Sequence, residues 1–162
     1  MNILLIGSGA REHAIARALE RSPKKKRINC LASSVNPGLI KLCSEIKIGN
    51  INDPKSVSRY AKEHSIRLAI IGPENPLANG VADALWDEGV KVVGPKKELA
   101  QIETSKSFTR DLLVEYKIPG CPNYRTFSSM NGVVSFLNEL GENYVVKYDG
   151  LAGGKGVRGA GG

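Results

Sequence analysis

The sequence predicts an α/β fold built on a doubly wound parallel sheet, and three observations predict it. Short apolar runs alternate with amphipathic helical patterns over the first hundred residues, as crossover connections between parallel strands require. Two of those runs pass directly into glycine-led loops, "IGSGAREH" at 6–13 and "IGPENPLANG" at 71–80. Hydrophobic content of 41% and charged content of 24% are those of an ordinary globular chain.

The elements follow in order. "NILLIG" (2–7) reads as the first strand, and Arg11 to Glu20 as a helix with Ala14, Ile15, Ala18 and Leu19 on one face. "INCLA" (28–32) is the next strand. Asp53 is an N-cap and Pro54 a favourable first helical residue, after which Val57, Tyr60, Ala61 and His64 line one side of a helix. "RLAIIG" (67–72) is a third strand, 77–88 a helix ending at Gly89, and "VKVVG" (90–94) a further strand. After Gly94-Pro95 the pattern changes to a short helical stretch, then a helix from Ser105 to Tyr116 that Thr104 caps and Ile118-Pro119-Gly120 ends. Ser128 caps a helix through Leu140, and "YVVKY" (144–148) returns to strand. The boundary falls near 100–104, giving a first domain at 1–103 and a second part at 104–162. That second part, about 60 residues finishing on Gly161-Gly162, is too short to close an ordinary core and reads as cut off.

Composition excludes several classes. The longest apolar runs, "ILLI" and "LAII", are far short of a membrane span, and no signal peptide or anchor is visible. Cys30, Cys43 and Cys121 are odd in number and contain no CxxC pair, against a disulfide framework or a metal cage and in favour of a reducing cytoplasm. The net charge of +7 asks for an anionic partner. Its densest run, Lys24 to Arg27, follows Ser22-Pro23 as a solvated loop and has no aromatic platforms beside it, which argues against nucleic acid. Phosphate on a small substrate accounts for the charge better.

Three motifs carry chemistry. In "IGSGAREH" a strand turns through glycines into a helix, where backbone N–H groups and the helix dipole suit phosphate. A dinucleotide site would want a third glycine where Glu12 stands and an acidic residue where "LASS" (31–34) ends the second strand, so NAD is disfavoured. What remains is a phosphate pocket beside Gly9 with Arg11, Glu12 and His13 following it. In "IGPENPLANG", Pro73 and Pro76 stiffen a loop that presents Glu74 and Asn75 at the strand's carboxyl end, the ligand edge of open α/β sheets. In "VVKYDGLAGGKGV" (145–157), Lys147 stands on a strand and Lys155 in a glycine-rich loop, so that cations and loop amides can enclose a phosphate from two directions. Asp149 and Gly156 exclude a Walker A loop.

Together "GSGAREHA", "GPENPLANGVAD", "GPKKELAQIETSKSFTRDLL" and "VVKYDGLAGGKGV" resemble the phosphoribosylamine–glycine ligase family, also called glycinamide ribonucleotide synthetases, in register from residue 1 to about 157. The resemblance implies an N-terminal pre-ATP-grasp, Rossmann-like domain that binds phosphoribosylamine (1–103), followed by an incomplete ATP-grasp subdomain (104–162). It implies ATP-dependent joining of glycine to 5-phosphoribosylamine through glycyl phosphate, giving glycinamide ribonucleotide, ADP and phosphate in purine biosynthesis. ATP with Mg2+ or Mn2+ is implied, as is a cytoplasmic enzyme that is a monomer at full length and binds neither nucleic acid nor membrane. Carried over by motif, Gly9, Arg11, Glu12 and His13 line the phosphoribosylamine pocket with Pro73, Glu74 and Asn75. Lys106 and Lys147 match lysines that contact ATP phosphates, and Gly153, Gly154, Lys155 and Gly156 match the mobile loop over them. Lys106 in a first helical turn opposes the helix dipole unless an anion lies nearby.

The sequence also departs from the family. Tyr148 replaces a small residue, Gly153 an alanine, and Arg158 to Gly162 is not expected to continue the family's strand. The metal ligands and the adenine-facing half of the site are expected outside this chain, which alone is expected to be inactive. Two alternatives stand beside this: another ATP-grasp carboxylate–amine ligase, or a non-catalytic phosphosugar-binding module.

Overall fold

Ile3, Leu4, Leu5 and Ile6 are all buried, so strand β1 (Asn2–Ile6) has no face for water and belongs in the middle of a sheet covered on both sides. The computed structural model, which describes residues 1–159, places it there. Strands β2 (Arg27–Ala32), β3 (Glu45–Ile48), β4 (Leu68–Ile71) and β5 (Lys91–Val93) complete a parallel sheet of order β3-β2-β1-β4-β5. Successive β1 side chains feed opposite cores, as strand geometry demands. Leu4 and Ile6 join Leu31, Val57, Tyr60, Val81 and Leu85 on one face, while Leu5 joins Ala16, Ile28, Cys30 and Leu39 on the other. Each buried aliphatic side chain contributes about 1.5–3 kcal/mol, so the sheet is held from both sides.

The helices of this first unit, Met1–Ala100, differ from expectation where polar or glycine residues intervene. Helix α1 (Ala10–Glu20) turns Glu12 and Ala16 fully inward with Ile15 and Leu19 half-buried, leaving Ala14 and Ala18 in solvent. The expected face was therefore rotated, because it counted no charged residue as interior. Helix α2 (Pro37–Ile40) and β3 were not anticipated. Asn36 caps α2 by accepting from the Gly38 N–H at 2.9 Å. Helix α3 (Pro54–Glu63) has the expected Asp53 cap, and His64 ends it with its ring stacked on Tyr60 at 3.9 Å. The single helix expected over 77–88 is two, α4 (Glu74–Ala78) and α5 (Val81–Asp87), because Gly80 between them adopts φ +81°.

Helix α6 (Lys97–Thr104) runs across the division between the two units. In the second unit, α7 (Lys106–Glu115) is capped by Ser105, whose Oγ accepts from the Phe108 N–H at 3.2 Å; Thr104, the expected cap, is the last residue of α6. Helix α8 (Val133–Leu140) starts at Gly132, later than a Ser128 cap would place it. Strands β6 (Val145–Lys147) and β7 (Val157–Gly159) pair antiparallel, with Lys147 opposite Val157. Arg158 and Gly159 thus do form strand, against expectation; residues 160–162, including the Gly161-Gly162 ending, lie outside the described residues. Among the described residues no helix is long and apolar enough to cross a membrane, and Cys30, Cys43 and Cys121 are free thiols.

Candidate functional site

The strand order places a topological switch between β1 and β4: the chain goes from β1 outward to β2 and β3, then returns to β4 and β5 on the other side. Ligands of open α/β sheets bind where such a reversal opens a crevice at the strands' carboxyl ends. Both glycine-led motifs sit there. The Gly7 N–H donates to Leu31 O at 3.0 Å and the Gly72 N–H to Ile6 O at 3.1 Å, each extending the ladder one step before the backbone turns away. Arg11 then crosses from one motif to the other. Its guanidinium donates to the Gly72 carbonyl and its Nη1 lies 3.8 Å from Glu74 Oε2. With 63% of the Arg11 side chain exposed, that ion pair adds little stability and leaves the cation available to a solvent-borne anion.

Glu12 differs from its neighbours. It is 4% exposed, and its Oε2 accepts the Gly9 N–H at 2.5 Å. A Cβ on Gly72 would fall 1.9 Å from Glu12 Oε1, one on Gly7 2.7 Å from Cδ, and one on Gly9 3.1 Å from Oε2. The three glycines of the two loops therefore close around one carboxylate, which occupies the space that a third glycine leaves open in a dinucleotide fold. A charge-assisted bond within the first turn of α1 offsets the burial of that charge. Glu12 ties the two loops together from beneath instead of opening into the crevice.

The remaining predicted residues divide. Gly9 is exposed at the start of α1, Pro73 caps α4, and Asn75 has an exposed side chain, so all three border the crevice mouth. His13 turns the other way: its ring packs on Gly38, where an added Cβ would meet Cε1 at 2.5 Å, and it shares a cavity of about 280 Å³ with Arg17, Lys41 and Leu42. Sequence reasoning missed the strap over the first loop. Ser8 Oγ lies 3.0 Å from Ser33 Oγ and 3.1 Å from Ser34 Oγ, and Asn36 Nδ2 donates to Ser8 O at 3.0 Å. The "SS" and Asn36-Pro37 after β2 are the signals that could have found it.

In the second unit the loop from 148 to 156 joins β6 to β7. The Tyr148 N–H donates to Gly156 O at 2.9 Å and the Lys155 N–H to Ala152 O at 2.9 Å. Gly153, Gly154 and Gly156 all have positive φ, and Gly153 and Gly154 have open space where a side chain would stand. Lys147 and Lys155 are exposed, as is the whole of β6. Lys106 is engaged within the unit: its Nζ donates to Gly150 O at 2.7 Å. The anion that its position at the head of α7 calls for is Asp149, whose Oδ1 accepts the N–H of Lys106 at 2.6 Å and of Ser107 at 3.2 Å. The Ser107 hydroxyl donates to Asp149 Oδ2, and these bonds hold the carboxyl below the usual carboxylate range. Among the described residues no group of three or more His, Cys, Asp and Glu is arranged to hold a metal ion.

Comparison with known proteins meets the same motifs. The family described as "Phosphoribosylglycinamide synthetase, N domain" matches residues 1–103, and "Phosphoribosylglycinamide synthetase, ATP-grasp (A) domain" matches 104–160. Phosphoribosylamine–glycine ligase of Methanosarcina barkeri is 44% identical over 158 residues, covering 98% of this chain and 36% of the relative. That of Methanopyrus kandleri is 43% identical over 159 residues, covering 98% and 35%. This chain thus spans about a third of the length of the curated relatives it matches. Phosphoribosylglycinamide synthetase from Anaerococcus prevotii superposes with a TM-score of 0.63 at 16% identity over 98% of this chain and 38% of that one, a likeness of fold. With one family profile over its first 103 residues, its partner over 104–160, and 44% identity across 98% of its length, the chain belongs to the phosphoribosylglycinamide synthetase, or phosphoribosylamine–glycine ligase, family.

Proposed function

We propose that this chain serves the ATP-dependent ligation of glycine to 5-phosphoribosylamine, giving glycinamide ribonucleotide, ADP and phosphate through glycyl phosphate, in the cytoplasm. Arg11 carries the proposal: an exposed guanidinium anchored to the Gly72 carbonyl at the switch between β1 and β4, beside Glu74 and the exposed turn at Gly9. An anionic phosphosugar brought there meets a cation and the field of the α1 N-terminus, while Glu74 and Asn75 offer a carboxylate and an amide to hydroxyls or to the sugar amine. Pro73 fixes the backbone that carries Glu74, whereas His13, packed on Gly38 at the α2 side of the helix, has no part in this contact. Glu12 acts by holding both loops in place.

In the second unit the residues present fit the phosphates of a nucleotide. Exposed Lys147 and Lys155, with the open backbone at Gly153 and Gly154, offer cations and amides, and Lys106 is within reach of the same loop. ATP with Mg2+ or Mn2+ supplies the phosphoryl group that turns an inert carboxylate into one an amine can attack. This chain's residues bind and neutralise charge, the main requirement of such transfers. Its partners on this account are small molecules. Calorimetric titration with glycinamide ribonucleotide, and separately with ATP and magnesium, tests the division of labour. Arg11→Ala is expected to weaken the ribonucleotide about tenfold or more, the worth of one charged hydrogen bond, and to leave ATP unchanged. Equal loss of both would overturn it.

A further inference from the structure

We propose that Asp149 is a positioning residue that pins the root of the glycine-rich loop, and with it Lys106, to the start of α7. The inference rests on reading that loop as the nucleotide-phosphate cover, but its geometry stands by itself. Asp149 lies directly before Gly150, where the loop leaves β6, and 42 residues beyond Ser107 in sequence. Its carboxylate meets the Lys106 N–H at 2.6 Å, the Ser107 N–H at 3.2 Å, the Ser107 hydroxyl, and the Ser105 hydroxyl at 3.4 Å. Those N–H groups are ones that an α-helix leaves without an internal partner, and a carboxylate there is favoured by the dipole.

The consequence is specific. The head of α7 is already filled by the protein's own anion, so a nucleotide phosphate is not received on these amides but on the lysines and the loop. Lys106 Nζ bonds Gly150 O at 2.7 Å, the next carbonyl along, so its ammonium and its own N–H are both held by the segment that Asp149 anchors. The base of the loop is fixed, while Gly153 and Gly154 beyond it, with open space around them, keep the backbone freedom to close. The groups that hold the carboxyl low are the Ser107 and Ser105 hydroxyls and the Ser107 and Lys106 amides, while the Lys106 ammonium is turned to Gly150 O. A carboxyl held low in this way keeps the contact above the usual carboxylate range and loses it as pH falls through its own lower value.

Hydrogen exchange of the 162-residue chain, wild type against Asp149→Asn, Asp149→Glu and Asp149→Ala, tests the pin. The Lys106 and Ser107 amides are expected to lose protection about tenfold or more in Asp149→Ala and less in Asp149→Asn, with α8 and the first unit unchanged. Asp149→Glu is expected to restore part of it. Carboxyl-carbon NMR of the wild type supplies a readout free of any variant's folding and is expected to titrate Asp149 below the usual range. Unchanged protection at both amides, or an ordinary Asp149 titration, would overturn the proposal. ATP–magnesium affinity is then measured on the same proteins and is expected to fall about tenfold in Asp149→Ala. Protection lost without change in a measurable ATP affinity would overturn the link between pin and nucleotide, whereas a wild type that binds no ATP would overturn the nucleotide reading and leave the pin standing.

Discussion

Gly72→Ala is the perturbation that probes the crevice floor most sharply. Its φ lies outside the left-handed region, so an alanine meets no backbone strain there, and the whole cost comes from contact. The new Cβ would stand 1.9 Å from Glu12 Oε1 and 2.6 Å from Cδ, where real Cβ contacts essentially never come under 3.0 Å. Glu12 must therefore retreat by about 1 Å or more inside a packed interior, an overpacking cost of about 1–3 kcal/mol. The retreat also stretches its bond to the Gly9 N–H, a charge-assisted contact whose loss in a buried setting costs about 1.5–3 kcal/mol more. The expected penalty is about 4 kcal/mol, a large share of the 5–15 kcal/mol that holds a typical domain. Trp86, the single tryptophan, lies in α5 of the same unit and reports the transition in a urea titration. Glu12→Ala costs stability too, but the two changes are expected to be non-additive, with Gly72→Ala costing roughly 2 kcal/mol less in the Glu12→Ala background because the clash is gone. A Gly72→Ala penalty below about 0.5 kcal/mol, or strict additivity, would refute the packing of Glu12 beneath the two loops.

Other outcomes follow from single contacts. Gly80→Ala forces a side chain into φ +81° with its nearest neighbours at 3.8 Å, so strain alone is expected to cost about 1–2 kcal/mol in the same tryptophan-monitored unfolding. Ser105→Ala removes the cap of α7 and is expected to destabilise that helix by about 1 kcal/mol, read as faster exchange of the α7 amides with α8 unchanged. Tyr60 is held above its ordinary ionisation range by burial and by Glu45, to which its hydroxyl donates at 3.2 Å. Its contribution is full below pH 10 and lost as pH rises through the higher folded value, so Tyr60→Phe is expected to flatten the alkaline fall of stability.

Much of this was legible because the interior obeys simple alternation. The runs of β1 and β4 are continuous aliphatic stretches, as double-sided burial requires, and the loops after them are marked by glycine and proline. Strand β3 was illegible because "EIKI" is an edge strand, half polar, with Glu45 turned toward Tyr60 and His64. The face of α1 was misjudged for the opposite reason: a glutamate is its most buried polar residue, bonded to the Gly9 N–H and packed against Gly7 and against Gly72, which lies in another loop far along the chain. Gly80 sat inside an apolar period that fits one helix, and only its left-handed backbone splits it. In the site, Arg11 and Glu74 could be named separately, but their pairing across the switch depends on strand order. Asp149 counted only as a departure from a phosphate-loop pattern, since its partners on α7 lie more than forty residues away.

The most direct test of the central claim is amide NMR of the labelled 162-residue chain titrated with glycinamide ribonucleotide. The account predicts that the Gly9, Arg11, Glu74 and Asn75 amides shift together and saturably, and that Arg11→Ala moves saturation to about tenfold or more higher ribonucleotide while the rest of the spectrum is preserved. Saturable shifts confined to other strands' ends, or a wild-type spectrum indifferent to the ribonucleotide, would contradict a phosphosugar site at the β1–β4 switch.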